Sequence, residues 1–320
     1  CTPERNIFDK SDTWAYNIPS APVFYITRRK QCQERNTGNF IFSGRISKIL
    51  LFTRVFSEIL RLYFCKERLI FMQKLVGLVR RCVDDYGMLQ PGDRVAVGVS
   101  GGKDSLTLLV LLAALRQYHP SHFSLQAVTI DLGLPGMDYA PVQALCDRLQ
   151  VPYTRVQTQI APIIFDYRKE KNPCSMCAKM RRGALNQALA DLGCGKVALG
   201  HHYDDAVETF FLSLFYEGRI SCFQPVTNLD RTGIIQIRPM LYLSEQTISH
   251  FAQREQLPVV HNPCPADKHT KRQEVKDLVY ELSARYPDLK ERVFGAMQRL
   301  PLPEWKPAGR YRRPRDPGML

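Results

Sequence analysis

Six consecutive residues, Ser100-Gly101-Gly102-Lys103-Asp104-Ser105, gather more chemistry than any other stretch of this 320-residue chain. They follow Arg94 to Val99, an apolar run with the character of a buried strand, and lead into Asp104 to Arg116, whose apolar spacing predicts a helix. A strand that turns through glycines into a helix points several backbone N–H groups, and the positive end of the helix dipole, at one spot. Such a spot binds phosphate. Gly101 and Gly102 let the backbone approach a ligand, Ser100, Lys103 and Ser105 add donors, and Asp104 offers an oxygen to Mg²⁺.

The spacing is not that of the usual P-loop, Gly-x-x-x-x-Gly-Lys-Ser/Thr, because Lys103 is followed by Asp104 and Val97 stands five positions before Gly102. The pattern instead resembles the PP-loop of the N-type ATP pyrophosphatases. That resemblance implies cleavage of ATP between its α and β phosphates, with AMP left on an oxygen of the substrate. Lys103, Asp104 and Asp205 are the candidate catalytic groups. A second segment, Gly200-His201-His202-Tyr203-Asp204-Asp205, ends the predicted strand Lys196 to Leu199, on the sheet edge where ligands sit in open α/β folds. Gly200 is expected to admit the nucleotide, and Asp204 or Asp205 to position Mg²⁺ or a proton. Asp131, at the carboxyl end of the second strand, is a candidate for the same cleft. The two histidines stand open between packing, an RNA contact and a role in the site.

Cysteine supplies the second chemistry. Of ten cysteines, Cys174 and Cys177 form a Cys-x-x-Cys, and Cys264 stands alone between two prolines. In a chain this long, such a pair favours metal or redox chemistry over a disulfide framework. Two thiolates two residues apart can clasp one metal centre, and a third from far along the chain completes a three-point attachment. Three ligands on a [4Fe-4S] cluster leave one iron open to bind and pass on sulfur. Cys82, Cys146, Cys194 and Cys222 lie in ordinary or apolar surroundings and read as buried thiols.

Taken together, Ser-Gly-Gly-Lys-Asp-Ser, Cys174-Ser-Met-Cys177 followed by Arg181-Arg182-Gly183, Gly-His-His-Tyr-Asp-Asp and the late Pro263-Cys264 resemble the tRNA 2-thiocytidine synthetases, the TtcA family. The likeness covers about Met72 to Leu300. It implies an adenine nucleotide alpha hydrolase-like fold and a tRNA sulfurtransferase that adenylates the C2 oxygen of an anticodon-loop cytidine, then replaces that oxygen with sulfur. Carried over, Ser100 to Ser105 bind ATP with Mg²⁺, and Cys174, Cys177 and Cys264 hold the cluster. A sulfur donor such as a cysteine desulfurase is the implied protein partner, with room left for a homodimer. The late segment departs from the pattern, with a single Cys264 where a Cys-x-x-Cys is expected. Two rival readings are a lysidine synthetase-like PP-loop ligase, which does not require the cysteine pair, and a zinc-stabilised RNA-binding protein without catalysis.

These groups need a scaffold that brings distant segments together. Predicted strands at Arg94–Val99, Phe123–Ile130, Tyr153–Gln157 and Lys196–Leu199 alternate with helices at Asp104–Arg116, Tyr139–Leu149 and Cys177–Leu192. The fold class is therefore α/β, a parallel sheet with helices on both faces. Asp204 to Tyr216 predicts a buried helix, 218–233 a looser region, and Ile234–Ile237 another strand. Beyond Leu243 the pattern turns helical, at Ser244–Gln256, Lys271–Arg285 and Leu289–Leu300, with Ser244 as a candidate cap. The expected organisation is an extension over 1–71, an ATP-binding domain over 72–243, a helical segment over 244–300 and a basic disordered tail over 301–320, where RNA is a candidate contact.

The formal net charge of +13 favours a polyanionic partner, nucleic acid first. Residues 1–71 hold 12 Lys/Arg against 6 Asp/Glu, so the rest carries a net of only +7. Those 71 residues lack steady periodicity and do not begin with Met, and Met72 is the expected translation start. Ile46 to Phe71 is apolar but interrupted by charges from Lys48 to Arg68, which argues against a membrane span. A cytoplasmic enzyme is expected.

Overall fold

In the computed structural model of the chain, the described residues are 67–168, 173–264 and 271–299. Residues 1–66 of the expected extension over 1–71, and the basic tail over 301–320, lie outside them. The architecture is a six-stranded sheet in the order β3-β2-β1-β4-β6-β5. Its strands are β1 (Arg94–Gly98), β2 (Ser124–Asp131), β3 (Tyr153–Gln157), β4 (Lys196–Ala198), β5 (Val226–Leu229) and β6 (Ile234–Ile237). All neighbouring pairs are parallel except β5 with β6. From β1 the chain winds one way to β2 and β3, then returns to lay β4 on the other side of β1. The loops after β1 and β4 therefore diverge, opening the crevice that doubly wound sheets use for ligands.

Alternation along the strands explains why helices cover both faces. Val95 and Val97 of β1 enter one core while Ala96, between them, enters the other, as a period of two requires. The larger core takes α1 (67–85), α2 (Lys103–Leu115), α3 (Ala140–Arg148) and α7 (Glu245–Arg254). Helix α2 buries residues all round, with Leu106, Leu108, Leu109, Leu111, Leu112 and Leu115 each fully shielded between sheet and α7. Removing any one of those leucines costs about 2–5 kcal/mol in transfer and cavity terms. This rigid helix fixes the loop that precedes it. The opposite face takes α5 (Pro173–Asp191) through Ala188 and Leu189. A third cluster, with Val207, Phe211, Val275 and Val279, joins α6 (Tyr203–Leu212) to α8 (Lys271–Arg285) and borders α9 (Leu289–Arg299). A short helical turn at Ile160–Pro162, here α4, runs into a wider turn over Ile163–Tyr167.

Three details depart from the expected elements. Helix α5 begins at Pro173, a full turn before the expected Cys177, so both cysteines of the pair are helical; proline suits a first turn, where its missing N–H has no partner to lose. Strand β5 fell in the region read as loose, because a four-residue edge strand beside Pro225 gives little apolar alternation. Helix α6 ends at Leu212 and widens into a π-turn over Ser213–Glu217, closed by Gly218 at φ +62°. Ser244 does cap α7, accepting a hydrogen bond from the Thr247 N–H at 3.3 Å. Helix α1 passes through Met72 without a break, and Phe71 packs on Phe251 while Arg68 pairs with Glu255. No helix among the described residues is long and apolar enough to cross a membrane.

Candidate active site

The loop between β1 and α2 is held by its own serines. Ser105 Oγ accepts the Ser100 N–H at 3.1 Å and donates to the Gly102 carbonyl at 2.9 Å. Gly102 is the N-cap of α2 in extended conformation and offers no side-chain acceptor, so the amides of the first helical turn have no capping side chain. Free first-turn amides with glycine on both sides form an anion site. Gly101 sits at φ +85°, in the left-handed region, and its carbonyl accepts the Val260 N–H at 2.9 Å. A Cβ on Gly101 would lie 3.0 Å from Val260 Cβ. The nucleotide loop is thus tied to the segment that carries Cys264 four residues later.

The loop after β4 packs directly against this one. A Cβ on Gly200 would stand 3.2 Å from both the Asp104 carbonyl carbon and the Ser105 nitrogen, so that face of Gly200 meets the start of α2. Asp104 is about a third exposed, paired with Lys103 Nζ at 2.8 Å and 3.9 Å from His202 Nε2. Lys103 also reaches Glu245 at 3.4 Å. Asp205 is engaged at both oxygens, by the His202 N–H at 3.0 Å, which caps α6, and by Arg272 at 3.1 Å. Asp204 is buried, accepting the Glu245 N–H at 2.7 Å and Lys290 Nζ at 2.6 Å. Burial pushes its carboxyl up, but those partners outweigh burial and hold it below the usual range. Asp204 therefore clamps α6, α7 and α9 together. Asp131 is consumed similarly, by Arg155 at 2.6 Å and the Gly133 N–H at 3.0 Å.

A cleft of about 540 Å³ opens beside the loop. One wall is Gly98, Val99 and Ser100; the facing wall is one face of α5, Ala178, Arg181, Arg182 and Leu185, at the i, i+3, i+4, i+7 spacing that puts residues on one side of a helix. Cys174 and Cys177 precede that face by one turn. Cys174 is exposed, Cys177 and Cys264 are half-buried, and all three are free thiols. Burial pushes the Cys177 thiol up, Arg181 opposes the shift, and the charges of Cys264 and Cys174 reinforce it, so the three are electrostatic neighbours. Among the described residues no three His, Cys, Asp or Glu side chains converge tightly enough to hold a single metal ion. Thiols of this exposure have the donor chemistry that an iron–sulfur cluster takes. Cys82, Cys146 and Cys194 are buried and Cys222 half-buried, with burial raising each thiol.

Several groups at this site were not singled out from the sequence. Arg238, at the end of β6, lines the cleft, and its only sequence signal is a charge inside the apolar run Ile234-Ile235-Gln236-Ile237-Arg238. Glu208 had the same kind of signal within α6; burial lifts its carboxyl to about 7 despite Lys276. Glu245, Lys276 and Lys290 arrive from helices far along the chain and carry no local signal.

The model of the PP-loop domain matches residues 72–282. The tRNA-cytidine(32) 2-sulfurtransferase of Pectobacterium carotovorum subsp. carotovorum (strain PC1) is 38% identical over 233 residues, 71% of this chain and 75% of that protein. That of Nitrosomonas eutropha (strain DSM 101675 / C91 / Nm57) is 34% identical over 241 residues, 75% of this chain and 77% of the other. Among solved structures, the U34-tRNA thiolase NcsA from Methanococcus maripaludis, solved with its [4Fe-4S] cluster, aligns with a TM-score of 0.60 at 25% identity, covering 72% of this chain and 79% of that one. A serine-braced glycine loop at a sheet crevice, a helix that lines the crevice and starts with two cysteines, and these relatives lead to one classification: the chain belongs to the PP-loop family, and within it to the tRNA 2-thiocytidine synthetases.

Proposed function

We propose that this protein thiolates a tRNA cytidine at C2, at position 32 as in the names of its relatives, by adenylating the C2 oxygen and then exchanging it for sulfur. One observation carries the reading. The cysteine segments join the nucleotide loop from both sides, Cys174 and Cys177 through the α5 face that lines the cleft, and Cys264 through the Val260–Gly101 hydrogen bond. A nucleotide site alone does not need that link; a reaction that activates carbon and then delivers sulfur to the same carbon does.

The β and γ phosphates of ATP lie on the open amides at the start of α2, with Ser100 and Lys103 as donors, while the Ser105 hydroxyl, spent on the Gly102 carbonyl, braces the loop. Asp104, a third exposed, would hold Mg²⁺, and Asp205 keeps His202 and the start of α6 in place. The C2 oxygen attacks the α phosphorus as the bond to pyrophosphate breaks, and a poor leaving oxygen becomes AMP. Sulfur then adds at C2 and AMP departs with the oxygen. Lys103 and the helix dipole offset charge building on pyrophosphate. Cys174, Cys177 and Cys264 would hold a [4Fe-4S] cluster, which would supply a site for sulfur. Arg181 and Arg182, on the cleft rim, meet tRNA phosphates. The sulfur comes from a donor such as a cysteine desulfurase, brought to the sulfide level by a thiol reductant, in the cytoplasm.

The test is to incubate anaerobically purified protein with tRNA, ATP and sulfide, following pyrophosphate release and 2-thiocytidine by mass spectrometry of nucleosides. Cys174→Ala should lose thiolation and keep pyrophosphate release; Asp104→Ala should lose both. Thiolation by Cys174→Ala at the wild-type rate would sink the proposal.

A further inference from the structure

Of the three arginines that line the cleft, Arg238 alone is buried, and it has no counter-charge among the described residues. Arg238 is 5% exposed, and no carboxylate pairs with it among the described residues. Its Nη1 donates to the Gln224 carbonyl at 2.5 Å and to Thr227 Oγ1 at 3.0 Å, and the guanidinium lies over the Phe223 ring, 4.8 Å from its centroid. These neutral partners orient the group without neutralising it. Among the described residues Nε is fully buried and without a hydrogen-bond partner, as is Nδ1 of His201, whose ring lies tilted against the same Phe223 ring at 5.0 Å. Both residues line the cleft with Ser100 of the nucleotide loop. An uncompensated buried charge is expensive, and a fold that keeps one where ligand enters gains from it once an anion binds.

We propose that Arg238 and His201 form the α-phosphate subsite of the nucleotide cleft, Arg238 as the charged donor and His201 as a neutral one. The inference rests on the ATP reading above and adds to it. The loop amides take the terminal diphosphate, so the α phosphate falls on the cleft side of Ser100, where Arg238 is the deepest cation. Burial, then Arg238 itself, hold the His201 imidazole at about 4, so near neutral pH it presents an uncharged N–H beside the guanidinium. When the C2 oxygen attacks, charge grows on the α-phosphate oxygens as the bond to pyrophosphate lengthens. A fixed guanidinium, already stripped of water, meets that charge without reorganising.

The experiment measures binding of adenosine, AMP and ATP, and of tRNA without nucleotide, to the full-length protein. Arg238→Met should weaken AMP and ATP by roughly ten- to hundredfold, the worth of a charged hydrogen bond, with adenosine and tRNA unchanged. Arg238→Lys, which keeps the charge but not the fork, should fall between, and guards against a Met variant that does not fold. On wild type, AMP should raise the melting temperature more than adenosine does. Equal losses for adenosine and AMP, an unaltered AMP affinity, or a loss confined to tRNA would overturn the subsite. A wild type that binds neither AMP nor ATP would overturn the ATP reading, and the subsite with it.

Discussion

Replacing Gly101 by Ala should injure the nucleotide loop and the Cys264 segment together. At φ +85° a side chain costs about 1–2 kcal/mol in backbone strain. The new Cβ would also meet Val260 Cβ at 3.0 Å and Cγ2 at 3.1 Å, well inside the ~3.5–4.0 Å optimum for carbon contacts. Overpacking of that kind adds about 1–3 kcal/mol. The total, about 2–5 kcal/mol, is a large share of the ~5–15 kcal/mol that holds a domain together. The parts separate experimentally, since Val260→Ala in the Gly101→Ala background removes the Cγ2 contact but leaves the Cβ contact and the dihedral strain. Urea unfolding should show partial rescue in the double variant. ATP affinity, and thiol labelling of Cys264 in cluster-free protein, should move in the same order. Gly101→Ala with wild-type stability, or a double variant no better than the single, would refute the claim that loop and cysteine segment are mechanically joined.

Gly200→Ala should destabilise by about 1–3 kcal/mol and weaken ATP, because its Cβ meets the Asp104–Ser105 peptide at 3.2 Å and that backbone cannot yield without moving the start of α2; calorimetry checks both, and wild-type ATP affinity would count against it. Glu208 binds its proton up to about pH 7 in the fold but only to 4.5 when unfolded, so it costs stability as pH rises from 4.5 through 7, by up to ~3 kcal/mol; Glu208→Gln should flatten that part of the pH–stability curve. His201 acts with the opposite sign: its unfolded form takes a proton near 6.5 and its folded form near 4, so stability is lost as pH falls across that window, and His201→Gln should remove the loss. Lys196 is buried with its ammonium on Asp93 at 2.5 Å and the Met88 carbonyl at 3.1 Å; Lys196→Met should cost about 1–3 kcal/mol by denaturant unfolding while leaving ATP affinity unchanged, since it lies at the other end of the strands from the cleft.

Local chemistry made much of this protein readable in order along the chain. Serine, glycine and lysine between an apolar strand and an apolar helix specify a phosphate loop because dihedral freedom, donors and helix dipole act within a few residues. Cys174 and Cys177, separated by two residues, raise the expectation of a shared metal because spacing alone sets their reach. The parallel sheet followed from strands alternating with helices. Tertiary structure decided how the pieces are used. Asp131 and Asp204 carry the same carboxylate as Asp104, yet Arg155 and Lys290 occupy them, and those partners come from other elements. Gly200 meets the peptide at the head of α2, a contact across two loops separated by about a hundred residues of chain. Strand β5 exists because β6 pairs with it, not because its four residues demand extension. Arg238 is an ordinary arginine in sequence; burial without a carboxylate, a property of the assembled cleft, is what makes it a site for an anion.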